Sequence, residues 1–75
     1  MIVYKINVMA ELKKHGYNTS RLKKEGLLPG QTLTDLSQGK MVSVPTIGKI
    51  CVMLRCQPGD ILESVITDEE KIRFF

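Results

Sequence analysis

Apolar residues recur at helical spacing in several short stretches, and each stretch is bounded by residues that start or stop a helix. In 6–15, Val8, Met9 and Leu12 fall within about 100° of a helical wheel with Ile6 beside them. Glu11, Lys13, Lys14 and His15 fill the other side, and Gly16 supplies the stop. Asn18 is a natural N-cap for a second helix, with Thr19 and Ser20 in its first turn and an end near Gly26. Leu22 is its apolar anchor, and Arg21, Lys23 and Lys24 make it basic. Leu27 and Leu28 lead into Pro29-Gly30, proline being suited to the first turn of a helix. Residues 31–37 read as a third helix, with Leu33 and Leu36 facing inward and Gln31, Thr34, Asp35 and Gln38 outside. Gly39 fits the position after its end, where Lys40 favours the helix dipole.

Ser43 caps a fourth helix with Pro45 in its first turn. Its stripe is Ile47, Ile50, Cys51 and Leu54, with Val44 at the edge, and Gly48 in its interior costs about 1 kcal/mol relative to alanine. Gln57-Pro58-Gly59-Asp60 starts a very short fifth helix anchored by Ile61 and Leu62. Val65 and Ile66 are β-branched and predict a short strand, with Ile2-Val3-Tyr4 as its partner. Thr67-Asp68-Glu69-Glu70 is a further helix start, and that tail ends in Ile72, Phe74 and Phe75. Exposed, those three side chains form a sticky patch, so they are expected to fold back or meet a partner.

The pattern predicts an all-α fold: a compact bundle of about five short helices with a short β pairing of the termini. At 75 residues the chain is one domain, with a core over 5–66 and a tail over 67–75. A chain this short buries only about 60% of its unfolded surface, which leaves no room for a core and a deep substrate cleft together. No apolar run approaches the ~18 residues of a membrane span, and the apolar start is too short for a signal peptide, so a cytoplasmic protein with no membrane partner is expected. Cys51 and Cys56, five residues apart at the end of a helix, are expected to point to different sides as reduced thiols. His15, the one histidine, is distant from them and matches no zinc spacing. There is no glycine-rich phosphate loop and no Ser/His/Asp or Cys/His arrangement, so no enzyme, cofactor, metal or small-molecule substrate is expected.

Charge changes the picture. Residues 1–58 carry nine Lys/Arg against three acids, Glu11, Glu25 and Asp35. Residues 59–75 carry Lys71 and Arg73 against five acids. A body of about +6 with a tail of about −3 suits a nucleic-acid binder that keeps one end away from phosphates.

Short helices with a tight second-to-third connection, a basic second helix and a polar outer face on the third suggest a helix-turn-helix. At these residues the chain resembles the Cro/C1-type helix-turn-helix family, and within it a branch of very small stand-alone regulators. The resemblance is carried by 33–40 (Leu-Thr-Asp-Leu-Ser-Gln-Gly-Lys), by 42–47, by Lys49-Ile50-Cys51 and most specifically by 56–63 (Cys-Gln-Pro-Gly-Asp-Ile-Leu-Glu), over about residues 5–66. There are departures. Lys23 follows Leu22 where the family often has alanine, Gly26 arrives one residue early, and Pro29-Gly30 replaces a polar start to the third helix.

The resemblance implies a lambda-repressor-like fold whose third helix reads the major groove of duplex DNA. It places Gly30, Gln31, Thr32, Thr34 and Asp35 at or beside base edges. Asn18 and Thr19, and Gln38 and Lys40, would reach phosphates. Arg21, Lys23 and Lys24 join them on charge alone. Gln31 suits a bidentate pair with adenine, Asp35 an acceptor role toward cytosine, and Thr34 a contact to a thymine methyl. Each also has an ordinary reading as a solvated surface residue. One short helix reads few base pairs, so a homodimer on paired half-sites is expected. The competing function is a protein-interaction module that keeps the fold without specific DNA contacts.

Overall fold

The computed structural model describes residues 1–75. The elements run β1 (Ile2–Tyr4), α1 (Val8–Lys14), α2 (Thr19–Lys24), α3 (Gly30–Ser37), α4 (Val44–Leu54), α5 (Pro58–Ile61), β2 (Leu62–Ser64) and α6 (Asp68–Phe74). This is an all-α bundle of short helices with one small two-stranded sheet. No helix is long and apolar enough to cross a membrane.

The core is entirely apolar and draws on every helix but the last: Val8 and Leu12 from α1, Leu22 from α2, Leu33 and Leu36 from α3, Ile47, Ile50, Cys51 and Leu54 from α4, and Ile61 from α5. Leu28 joins them from the turn between α2 and α3, and half-buried Leu27 packs beside it. That turn is therefore pinned by side chains as well as by backbone. α1 packs against α3 and α4, and α4 against α5.

Helix starts follow the polar side chains that precede them. Asn7 accepts from the Ala10 amide at 3.1 Å, Asn18 from Arg21 at 2.8 Å and Ser43 from Thr46 at 3.4 Å. Thr67 and Glu70 form a reciprocal capping box on α6. Helix ends repeat one device. After α1, α2, α3 and α4, the residue at the turn lies in the left-handed region: Gly16, Gly26, Gly39 and Arg55. The following amide in each case reaches back to a carbonyl five residues earlier: Tyr17 to Leu12, Leu27 to Leu22, Lys40 to Asp35 and Cys56 to Cys51. Those bonds satisfy carbonyls that a helix end leaves open.

Three boundaries differ from expectation. α3 begins at Gly30, and Pro29 stands before it as an extended N-cap residue (φ −61°, ψ 155°) rather than inside the first turn. Leu62 belongs to β2, because α5 stops at the fully buried Ile61. The strand opposite Ile2–Tyr4 is Leu62–Ser64, in antiparallel register Ile2↔Ser64, Val3↔Glu63 and Tyr4↔Leu62. Val65 only prolongs the ladder through two bonds with Met1, at 2.7 and 2.9 Å, and Ile66 lies outside the pairing. Burial of Ile61 and the Lys5 amide bond to its carbonyl (2.7 Å) fix that register ahead of any local β preference.

The two cysteines are free thiols, as expected, but sit closer together than their spacing on a helix suggests. Cys51 is buried, Cys56 is half-buried, and the two side chains interact. Spacing on a continued helix would separate them. The left-handed Arg55 ends the helix and folds Cys56 back over Cys51. Burial raises the Cys56 pKa, and its neighbour Cys51 adds to the rise.

Candidate nucleic-acid interface

α2 and α3 are held at their turn by Leu22, Leu28 and Leu33, so the polar faces of both helices are fixed relative to each other. Thr19 and Lys23 from α2 line one shallow cleft of about 180 Å³ with Gly30, Leu33, Thr34 and Ser37 from α3 and Met9 from α1. Four of the expected contact residues thus meet in one place. Ser37 is an addition; it lies one turn after Leu33 and was hidden in sequence because it reads as a helix-end residue. Asn18 and Thr19 also line a wider groove of about 520 Å³ with Asn7, Lys13 and Ser20, between the starts of α1 and α2. Lys13 is a cation not expected there from sequence, since its position marks only the polar side of α1.

On α3, Gly30, Gln31 and Thr34 are exposed, while Thr32 and Asp35 are half-buried. No side chain caps the start of this helix, so its first amides are left to solvent or ligand. An added Cβ at Gly30 would meet nothing within 4 Å. The outer face is internally bonded. Gln31 donates from Nε2 to Asp35 Oδ1 at 2.9 Å, the Thr34 hydroxyl donates to the Gly30 carbonyl at 3.1 Å, and Ser37 donates to the Thr34 carbonyl at 2.9 Å.

The cations divide into two kinds. Arg21 is engaged within the chain: its Nε donates to Glu25 at 2.6 Å, a terminal nitrogen donates to the Gly16 carbonyl at 3.1 Å, and the guanidinium lies over the Tyr17 ring at 4.6 Å. It braces the turn between α1 and α2. Lys23, Lys24 and Lys40 are exposed and make no salt bridge. Gln38 is exposed at the end of α3, beside Gly39. The stretch that carries Lys40 is moored to the sheet, because the Tyr4 hydroxyl donates to the Lys40 carbonyl at 2.8 Å.

Comparison with known families adds one finding. The family model described as Cro/C1-type HTH DNA-binding domain matches residues 5–66. No curated protein and no solved structure matches the chain.

Proposed function

The chain belongs to the Cro/C1-type helix-turn-helix DNA-binding domain family, and from that premise we propose that it is a sequence-specific regulator of transcription that lays α3 in the major groove of duplex DNA and acts as a homodimer on paired half-sites. A DNA-binding regulatory role is the property of the family as a whole; the groove, the sequence preference and the pairing of copies are this proposal's own content.

The cleft that gathers Thr19, Lys23, Gly30 and Thr34 carries the reading. It joins the start of a basic helix to the uncapped, side-chain-free start of the exposed helix, a surface suited to a phosphate on one side and base edges on the other. Lys23, Lys24 and Lys40, free of internal partners, supply the cations that displace counterions from DNA. Gln31, Thr34 and Asp35 supply donors and acceptors for the base edges. The protein is expected in the cytoplasm, where such a regulator meets its DNA.

A second reading, a protein-interaction module, draws on the C-terminal helix, whose Ile72, Phe74 and Phe75 stand 85%, 77% and 86% exposed. Titration of labelled duplex from the gene's own upstream region, against random duplex at two salt concentrations, separates the two. As a narrower part of this proposal, the chain as a whole is taken to be similar to the small regulator of a G-type vancomycin-resistance operon, so the control region of such an operon is a useful third duplex. Preference for one duplex with steep loss at high salt supports the proposal. Absence of binding to all at low salt favours the protein-interaction reading.

A further inference from the structure

α6 has no buried residue, and none of its side chains joins the hydrophobic core or packs against it. Its ties to the rest are at its base, where the Met1 ammonium bonds Glu70 at 3.1 Å and pairs with Val65. The projection shows in the shape: the radius of gyration is 14.0 Å and the extents are 47 × 23 × 19 Å. A compact chain of this length would have a radius of about 11 Å. A free helix of seven residues is also too short to hold itself together in water, where about 12–15 residues are needed even for good helix formers. Its apolar end is left exposed in its own molecule.

The body offers a surface of matching chemistry. A groove of about 410 Å³ runs between the sheet and the start of α4, lined by Ile2, Met41, Val44, Ile47, Pro58 and Leu62 among others. Val44 is 83% exposed there, and Ile2 and Met41 are about half exposed. Because β2 leads directly toward α6, the arm leaves the body at the sheet that forms one wall of this groove.

We propose that α6 of one copy seats Phe74 and Phe75 in the groove between the sheet and α4 of a second copy, and that the exchange is reciprocal. Arm and groove sit on the same chain, so one two-fold axis satisfies both and the assembly closes at two copies. The areas suffice. Each phenylalanine buries about 150–250 Å², two copies bring four of them, and the covered groove adds as much again, which passes the roughly 1,000 Å² that marks a specific interface. The inference deepens the paired-copy part of the proposed function by naming its contact surface, and its test uses no DNA.

Sedimentation equilibrium of the full chain reads the oligomeric state. Wild type is expected to be a dimer. The Phe74→Ser/Phe75→Ser double variant and, separately, Val44→Asp should each weaken dimerisation by about tenfold or more. All three positions are exposed, and an acid in the first turn of α4 suits its dipole, so unchanged helical circular dichroism is expected in both variants. Isotope-filtered NOEs on mixed labelled and unlabelled wild type should link the Phe74 and Phe75 rings to Val44 and Ile2 methyls between chains. A monomeric wild type, variants that dimerise as tightly as wild type, or those NOEs arising within one chain would each overturn the proposal. The NOE result decides the matter should a variant lose its fold. A monomer that still prefers its upstream duplex defeats this inference and the pairing of copies but leaves the DNA reading standing; a dimer that ignores DNA defeats the DNA reading alone.

Discussion

Gln31 and Asp35 stand one turn apart on α3, and the amide nitrogen of the first is bonded to a carboxylate oxygen of the second at 2.9 Å. The residue best suited to read adenine is thus held by the residue least suited to approach phosphate. For Gln31 to make a bidentate base pair contact, it must exchange this bond for one to DNA. The pair behaves as a single polar unit in which the acid orients the amide and also lowers general attraction to the duplex.

Replacing Asp35 with Asn removes the charge and keeps a bonding partner. Binding to all duplexes should tighten a few-fold, with a steeper dependence on salt. If Asp35 instead accepts from cytosine, the preferred duplex alone loses about 1–3 kcal/mol. Fluorescence anisotropy at several salt concentrations separates the outcomes.

Gln31→Ala and Lys24→Ala should fail in different ways. The glutamine variant is expected to lose about 1–3 kcal/mol on the preferred duplex and little on random DNA. The lysine variant should weaken binding to both and reduce the salt slope by about one. Equal losses on every sequence for Gln31→Ala would remove it from base reading.

Gly30→Ala tests close backbone approach. Space for the new methyl is open in the free protein, and alanine is the better helix former, so thermal stability should hold or rise. A loss of DNA affinity without a loss of stability would locate the DNA backbone or a base edge against Gly30. Unchanged affinity would place the contact elsewhere.

Arg55 is the one non-glycine residue with positive φ, at 54°. Arg55→Gly relieves a conformation that costs an L-residue about 1–2 kcal/mol, against the extra freedom glycine gains when unfolded. The net gain should be about 0.5–1 kcal/mol, or some 2–8 °C in the melting temperature of a domain this size. An unaltered or lower melting temperature would mean that the Arg55 side chain contributes packing that offsets the strain.

Tyr4 gives a pH dependence. Burial raises its phenol above the ordinary value of 10.0, with the nearby Asp35 charge adding to the rise against a lowering contact from the Val42 backbone. The neutral form, which donates to the Lys40 carbonyl, is therefore the one the fold favours. Its contribution is whole below the ordinary tyrosine value and is lost as pH rises through the raised one. Tyr4→Phe should cost about 0.5–1.5 kcal/mol near neutrality and flatten the alkaline loss of stability seen in chemical denaturation.

Much of the fold was legible because helix boundaries here are set by local chemistry. Asn18, Ser43 and Thr67 cap, Gly16, Gly26 and Gly39 stop, and the leucine and isoleucine spacing selects the buried face. What escaped was decided by contacts distant in sequence. Val65 and Ile66 have the stronger β preference, yet burial of Ile61 sets the strand at Leu62–Ser64. Arg55 carries no mark of a helix end in its residue type, and so the meeting of Cys51 and Cys56 was invisible. On the candidate surface the sequence picked out Gly30, Gln31 and Thr34, which are exposed, Thr32 and Asp35, which are half-buried, and the free lysines. It did not separate Arg21, spent on Glu25, Gly16 and Tyr17, from its unpaired neighbours, because an ion pair depends on side-chain placement that charge counts do not encode.

The repeated helix ends have a kinetic consequence. Each of the first four helices closes with bonds that span no more than five residues, so every one of those stops forms without waiting for the rest of the chain. Only the sheet joins residues 2–4 to 62–64. The sheet closes the longest loop between elements, after the shorter non-local closures by which α1 meets α3 and α4. The bundle should condense first and its ends zip last, which leaves the arm that follows the sheet as the final part of the molecule to find its place.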